Sequence, residues 1–130
     1  MTAAPSIKLY VNSRDELNII HLEKVLFCRS EDNYTKITYT SGQQVMVHLS
    51  LTKLQELIHM VWRKDIPSPF YRLGRGLIIN QQFVIGLNIL KQRLYMTGFN
   101  EKTYALVVAK QVLKSYRELL TGGFAPTTSN

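Results

Sequence analysis

The chain has 130 residues, the length of one ordinary domain, and 45% of them are hydrophobic, enough for a core and too many for wholesale disorder. Sixteen Lys and Arg against nine Asp and Glu leave a formal charge of +7, unevenly placed: residues 1–69 carry eight basic and seven acidic groups, residues 70–130 eight and two. That asymmetry points to a polyanionic partner, a nucleic acid or an anionic membrane surface, while the short apolar runs exclude a membrane-spanning helix and the single Cys28 excludes an internal disulfide or a multi-cysteine metal site.

Residues 1–6 show no charged segment followed by an apolar one, so no secretory signal is read there and a cytoplasmic location is expected. These residues and the tail 122–130 are expected to be flexible. Between them no linker or internal repeat divides the chain, so residues 7–121 are expected to form a single domain. β-Branched and aromatic runs predict strands at Ile7–Val11, Leu17–Ile20, Val25–Arg29, Tyr34–Thr40 and Gln43–His48. Ser41-Gly42 joins the last two as a hairpin, with Thr35, Ile37 and Tyr39 on one face and Lys36, Thr38 and Thr40 on the other. Ser50 is a predicted N-cap, followed by an apolar stripe of Leu51, Leu54, Leu57, Ile58 and Val61 at helical spacing, and Pro67 and Pro69 end that segment. Further strands are predicted at Tyr71–Leu73, Leu77–Asn80, Phe83–Leu90, Arg93–Thr97 and Thr103–Val108. A second helix is predicted from near Ala109 to Thr121, with Val112, Leu113, Tyr116, Leu119 and Leu120 as its buried stripe and Gly122-Gly123 closing it. Strands, helix, strands, helix is not the alternation of a parallel βαβ protein. The expected class is mainly β, a β-rich α+β fold of mostly antiparallel strands with two short amphipathic helices.

Catalysis finds little support. Cys28 falls inside a strand, His21, His48 and His59 are scattered, and Glu31-Asp32 reads as a strand connection. No nucleotide-binding, metalloprotease or hydrolase motif is present, so no enzyme, cofactor or metal is expected. The basic second half is richer. Arg72 and Arg75 flank a glycine-bearing loop, where glycine lets the backbone approach a ligand and an exposed Arg can grip phosphate or read guanine with two bonds. Lys110 and Lys114 lie one turn apart at the start of the last helix, where a cation opposes the helix dipole unless an anion docks. Asn33, Tyr34 and Lys36 place amide, aromatic and ammonium groups together at the start of a strand, a set suited to base-edge and phosphate contacts.

The order of these clusters carries a family resemblance. Val25–Tyr39, VLFCRSEDNYTKITY, resembles the opening of the LytTR DNA-binding domain family, and Phe70–Asn80, FYRLGRGLIIN, resembles its F-x-R-x-H-R-S-Y/F-I/V-V-N segment over eleven consecutive positions. Ser50–Leu54 is similar to the start of the family's first helix, and Val108-Ala109-Lys110 through Leu119 to the run into its last, so the resemblance covers roughly residues 7–120. It implies a stand-alone effector domain of the response-regulator class, a bacterial two-component transcription regulator that binds double-stranded DNA through loops in the major groove. Tyr34 with Asn33 and Lys36, Arg75 with Arg72 as a phosphate partner, and Lys110 with Lys114 correspond to its three recognition regions. The family's usual His, Ser and Ser-Arg are Gly74, Gly76 and Ala109-Lys110 here, and lysine lacks the planar fork of arginine. These departures motivate the alternative of an interaction module that kept the fold, lost strong DNA binding, and pairs with a regulator or membrane sensor. Family members often carry an N-terminal receiver domain, for which residues before 7 leave no room. The resemblance therefore implies control by a separate sensor or regulator protein, or by further domains of a longer chain. Single-strand binding by aromatic stacking is disfavoured, because the basic-Gly-aromatic sheet motif is missing.

Overall fold

The β-branched and aromatic runs fold into antiparallel ladders throughout, in a computed structural model that describes residues 7–122. The ends expected to be flexible, residues 1–6 and those after Gly122, lie outside the described residues. The strands are β1 (Lys8–Asn12), β2 (Leu17–His21), β3 (Val25–Glu31), β4 (Tyr34–Tyr39), β5 (Gln44–Val47), β6 (Phe70–Leu73), β7 (Leu77–Asn80), β8 (Val84–Asn88), β9 (Arg93–Thr97) and β10 (Thr103–Val107). The helices are α1 (Leu51–Val61) and α2 (Lys110–Thr121). Mostly antiparallel strands with two helices is the architecture the sequence patterns predict.

A five-stranded sheet in the order β5-β4-β3-β7-β6 lies between two layers. The β1–β2 hairpin and α1 pack on one face with Val25, Cys28, Ile37 and Ile78. The three-stranded sheet β10-β9-β8 and α2 pack on the other with Leu26, Phe27, Leu73, Leu77 and Ile79. Coverage on both faces explains why β3 and β7 are continuous apolar runs rather than alternating ones. Adjacent Leu26 and Phe27 face the same layer because the β3–β4 register shifts between Val25 and Phe27, a bulge that inserts one extra residue.

Ser50 caps α1 as predicted, its hydroxyl accepting from the Lys53 amide at 3.1 Å. Leu51, Leu54 and Ile58 are buried and Leu57 packs beside them, whereas Val61, predicted in the same stripe, is exposed at the helix end. α2 departs further: Leu113 and Tyr116 are buried, but Leu119 and Leu120 are 57% and 54% exposed. The apolar cluster that α2 joins ends at Tyr116, whose ring lies 5.2 Å from that of Tyr71 and whose hydroxyl donates to Gln81. The last turn therefore extends past the packed layer. Gly122 closes the helix at φ 64°, its amide donating to Glu118.

The strand predicted over Phe83–Leu90 also differs. Gln81–Phe83 is a 3₁₀ turn capped by Asn80 Oδ1, which accepts from the Gln82 amide, and β8 stops at Asn88, whose side chain accepts from Lys91 in the next turn. Both corrections have one cause. Asparagine offers the backbone a local hydrogen bond that competes with the ladder.

Candidate nucleic-acid interface

The two-residue tip Asp32-Asn33 joins β3 to β4, with Glu31 paired to Tyr34, and Asp32 takes φ 51°, a left-handed conformation that Asp tolerates better than most residues. Glu31 belongs to the strand and only Asp32 to the turn. Tyr34 is 44% exposed and stacks on His48 at 4.8 Å, which holds its ring outward. Lys36 is less free: its Nζ sits 3.0 Å from Glu31 Oε1 in a partly exposed ion pair. Asn33, His48, Ser50 and Lys53 border a shallow hollow beside this tip.

Leu73 pairs with Leu77, so the β6–β7 hairpin closes over three residues, Gly74-Arg75-Gly76. Gly74 adopts φ 66°, where a Cβ would be strained. Arg75 is exposed at the tip, and its guanidinium has no partner among the described residues. Arg72 is the opposite case. Its Nε donates to Gly74 O (3.1 Å), Nη1 to Gln55 Oε1 (2.9 Å) and Thr52 Oγ1 (3.3 Å), and Nη2 to Arg75 O (2.7 Å).

The third cluster lies at the start of α2. Ala109 has no side chain to cap the helix and the first turn holds no acid, so its orphan amides stay available. Lys110 and Lys114 are exposed on one face without an ion-pair partner among the described residues.

Geometry places the Arg75 loop beside the start of α2 and the end of β3. A hollow of about 370 Å³ is bordered by Arg75, Gly76, Ala109, Arg29 and Ser30, and Ser30 also borders the hollow at Asn33, while Lys110 and Lys114 border neither. Strand alternation sets Arg29, Tyr34 and Lys36 on the face that carries α2, since Arg29 pairs with Lys36 and Glu31 with Tyr34. Arg72 lies on the other face, because its cross-strand partner Ile78 packs with α1.

Sequence reasoning missed Arg29, which sits 5.7 Å from the Phe27 ring centroid and supplies a cation to the hollow. The signal was a lone basic residue closing an apolar strand run. Lys53 was also missed, and it pairs only loosely with Glu56 at 3.7 Å. Cys28 is buried in β3, and loss of hydration pushes its thiol up to about 12, so it is not a nucleophile at neutral pH. Among the described residues, no group of three His, Cys, Asp or Glu side chains is placed to hold a metal, and no helix is long and apolar enough to cross a membrane.

A family model, the LytTr DNA-binding domain, matches residues 15–121. The chain belongs to this family. Its LytTr match starts after β1, later than the resemblance read from residue 7, and runs to the end of α2. Among solved structures, a LytTr DNA-binding domain from Bacillus cereus, described as part of a methyl-accepting/DNA response regulator, superimposes with a TM-score of 0.57 at 20% identity. It covers 93% of this chain and 100% of its own, which establishes the LytTr fold. No curated protein matches the sequence.

Proposed function

We propose that this LytTr domain binds double-stranded DNA sequence-specifically, with its loops in the major groove, as the effector of a transcription regulator acting in the cytoplasm. Residues 7–121 act as the binding unit, controlled by a separate sensor or regulator protein or by further domains of a longer chain. The observation that carries the reading is Arg75: an unpartnered guanidinium on a hairpin tip, sharing one hollow with Arg29 and the uncapped start of α2. A guanidinium so presented matches the two acceptors on the guanine edge. Asn33 and Tyr34 at the neighbouring tip have the donors and ring for further base-edge contacts. Lys110 and Lys114 flank free helix amides, a combination suited to phosphate. Lys36, held by Glu31, contributes charge to the same face rather than a free ammonium. Affinity then comes from counterion release and specificity from Arg75.

The test is a fluorescence-polarisation titration with duplexes selected from a random pool, repeated at several salt concentrations. Arg75→Ala should cost about 1–3 kcal/mol on the selected duplex and relax preference at one base pair. Lys114→Ala should weaken all duplexes alike and lower the salt slope by about one. Absence of binding at low salt refutes the reading and favours the interaction module, which the replacements at Gly74, Gly76 and Ala109 suggest.

A further inference from the structure

We propose that Arg72 is a positioning residue, a clamp that ties the Arg75 loop to α1 and so fixes the direction in which Arg75 leaves the hairpin. The proposal rests on the reading of Arg75 as the base-reading residue. A guanidinium has five N–H groups in a rigid planar fork, and four of Arg72's are spent on protein acceptors. Two of those acceptors are the carbonyls of Gly74 and Arg75, which belong to the peptide planes on either side of the Arg75 Cα. Holding both planes sets the Cα–Cβ direction of Arg75. The other two acceptors, Thr52 and Gln55, lie three residues apart on one face of α1, which is capped by Ser50 and anchored by Leu51 and Leu54. A further bond, from the Ser30 amide to Gly76 O at 2.9 Å, pins the far side of the loop to β3. A loop with glycine on both sides of its arginine would otherwise leave that side chain free to point in many directions. Placement agrees with the chemistry: the Arg72 side chain reaches α1 from the sheet face opposite Arg29.

A clamp and a phosphate contact predict opposite responses once the helix partners are removed. Thr52→Ala combined with Gln55→Ala changes no charge, uses good helix formers at exposed positions, and frees the Arg72 guanidinium. If Arg72 gripped phosphate, the double variant would bind as well as the parent or better. As a clamp, it should lose about tenfold discrimination between the selected duplex and a duplex changed at the Arg75 base pair. Binding to unrelated duplex should stay within about twofold, since no phosphate contact is lost. Arg72→Lys keeps the charge but cannot span four acceptors, and should fail to restore discrimination. A DNA-free readout completes the test: the heteronuclear NOE of the Gly74–Gly76 amides should fall in both variants. Undiminished discrimination or an unchanged NOE in the double variant overturns the clamp, and the double variant decides the matter if Arg72→Lys does not fold. If Arg75→Ala itself leaves base preference intact, the reading of Arg75 fails instead, and the NOE alone still judges the clamp.

Discussion

Asn80 is fully buried, and its side chain closes two gaps at once. Nδ2 donates to the carbonyl of Val25 at 2.9 Å, and Oδ1 accepts from the Gln82 amide at 3.1 Å. Val25 lies beyond the last β3–β7 pair, Phe27 with Ile79, so the side chain supplies a bond where that ladder has stopped. Asn80→Ala leaves a buried carbonyl short of its partner, a cost of about 1–3 kcal/mol. It also removes the cap of the 3₁₀ turn, about 1 kcal/mol more. The expected total is about 2–4 kcal/mol. At about 4 °C per kcal/mol for a chain of this size, that lowers Tm by about 8–16 °C. Urea unfolding followed by Trp62 fluorescence gives the free energy directly, because Trp62 is the only tryptophan and packs on Phe70 at 5.8 Å. An unchanged m-value shows that the same surface is exposed in both proteins. A loss below about 0.5 kcal/mol, within the range of an ordinary surface change, would refute the reasoning.

Gly98→Ala should cost about 1–3 kcal/mol or more, because a Cβ there would lie 2.5 Å from Thr40 O, the same carbonyl that accepts from the Phe99 amide; a neutral variant in the urea assay would mean the two sheets yield at this contact. In the Arg75 loop, Gly74→Ala is strained at φ 66° and should lose about 1–2 kcal/mol. Gly76→Ala meets nothing within 4 Å and should gain about 0.4–1 kcal/mol through the unfolded chain, so effects of equal sign would overturn the assignment. Cys28 gives a pH signature: below its ordinary value of 9.0, folded and unfolded chains both keep the proton and the full contribution is present. Between there and about 12 only the unfolded chain releases it, so stability falls by about 1.4 kcal/mol per pH unit. Cys28→Ala lacks that slope, and parallel pH profiles for the two proteins above pH 9 would contradict it.

Much of this was legible in the residues. Runs of β-branched and aromatic side chains broken by turn residues locate the strands, because both faces of β3 and β7 are covered and need no alternation. The Ser50 cap and the αL Gly122 are local chemistry, set within one turn of chain. What escaped depends on distant partners. Leu119 and Leu120 fit a helical stripe, but only the sheet beneath decides where that stripe stops being buried. Arg72 and Arg75 look alike in sequence. One spends four of its five N–H groups on α1 and its own loop and the other is free, a difference created partly by side chains 17 and 20 residues earlier. Lys36 reads as a free cation until the β3–β4 register brings Glu31 to it.

Several local preferences are set aside at the β3–β4 and β6–β7 tips and at the start of α2. Arg29 and Lys36 stand directly opposite across β3 and β4, a like-charge pair that a sheet disfavours and that Glu31 only partly relieves. Asp32 and Gly74 hold left-handed backbone at the two hairpin tips. α2 begins without a side-chain cap and with Lys110 set against its dipole, each worth a fraction of a kcal/mol to about one. None of these features helps the isolated fold, and most of them are electrostatic, unlike the left-handed turns at Gln92 and Glu101 elsewhere in the chain. A polyanion docked across the two tips and the start of α2 would reverse the sign of every electrostatic term among them: it would neutralise the facing cations, accept the orphan amides and complement the dipole. Electrostatic cost that a single ligand of opposite charge would remove is what the proposed DNA-binding surface requires. Part of the charge asymmetry has a place there, since Arg75 from the basic half borders one hollow with Arg29 from the balanced half and with the start of α2.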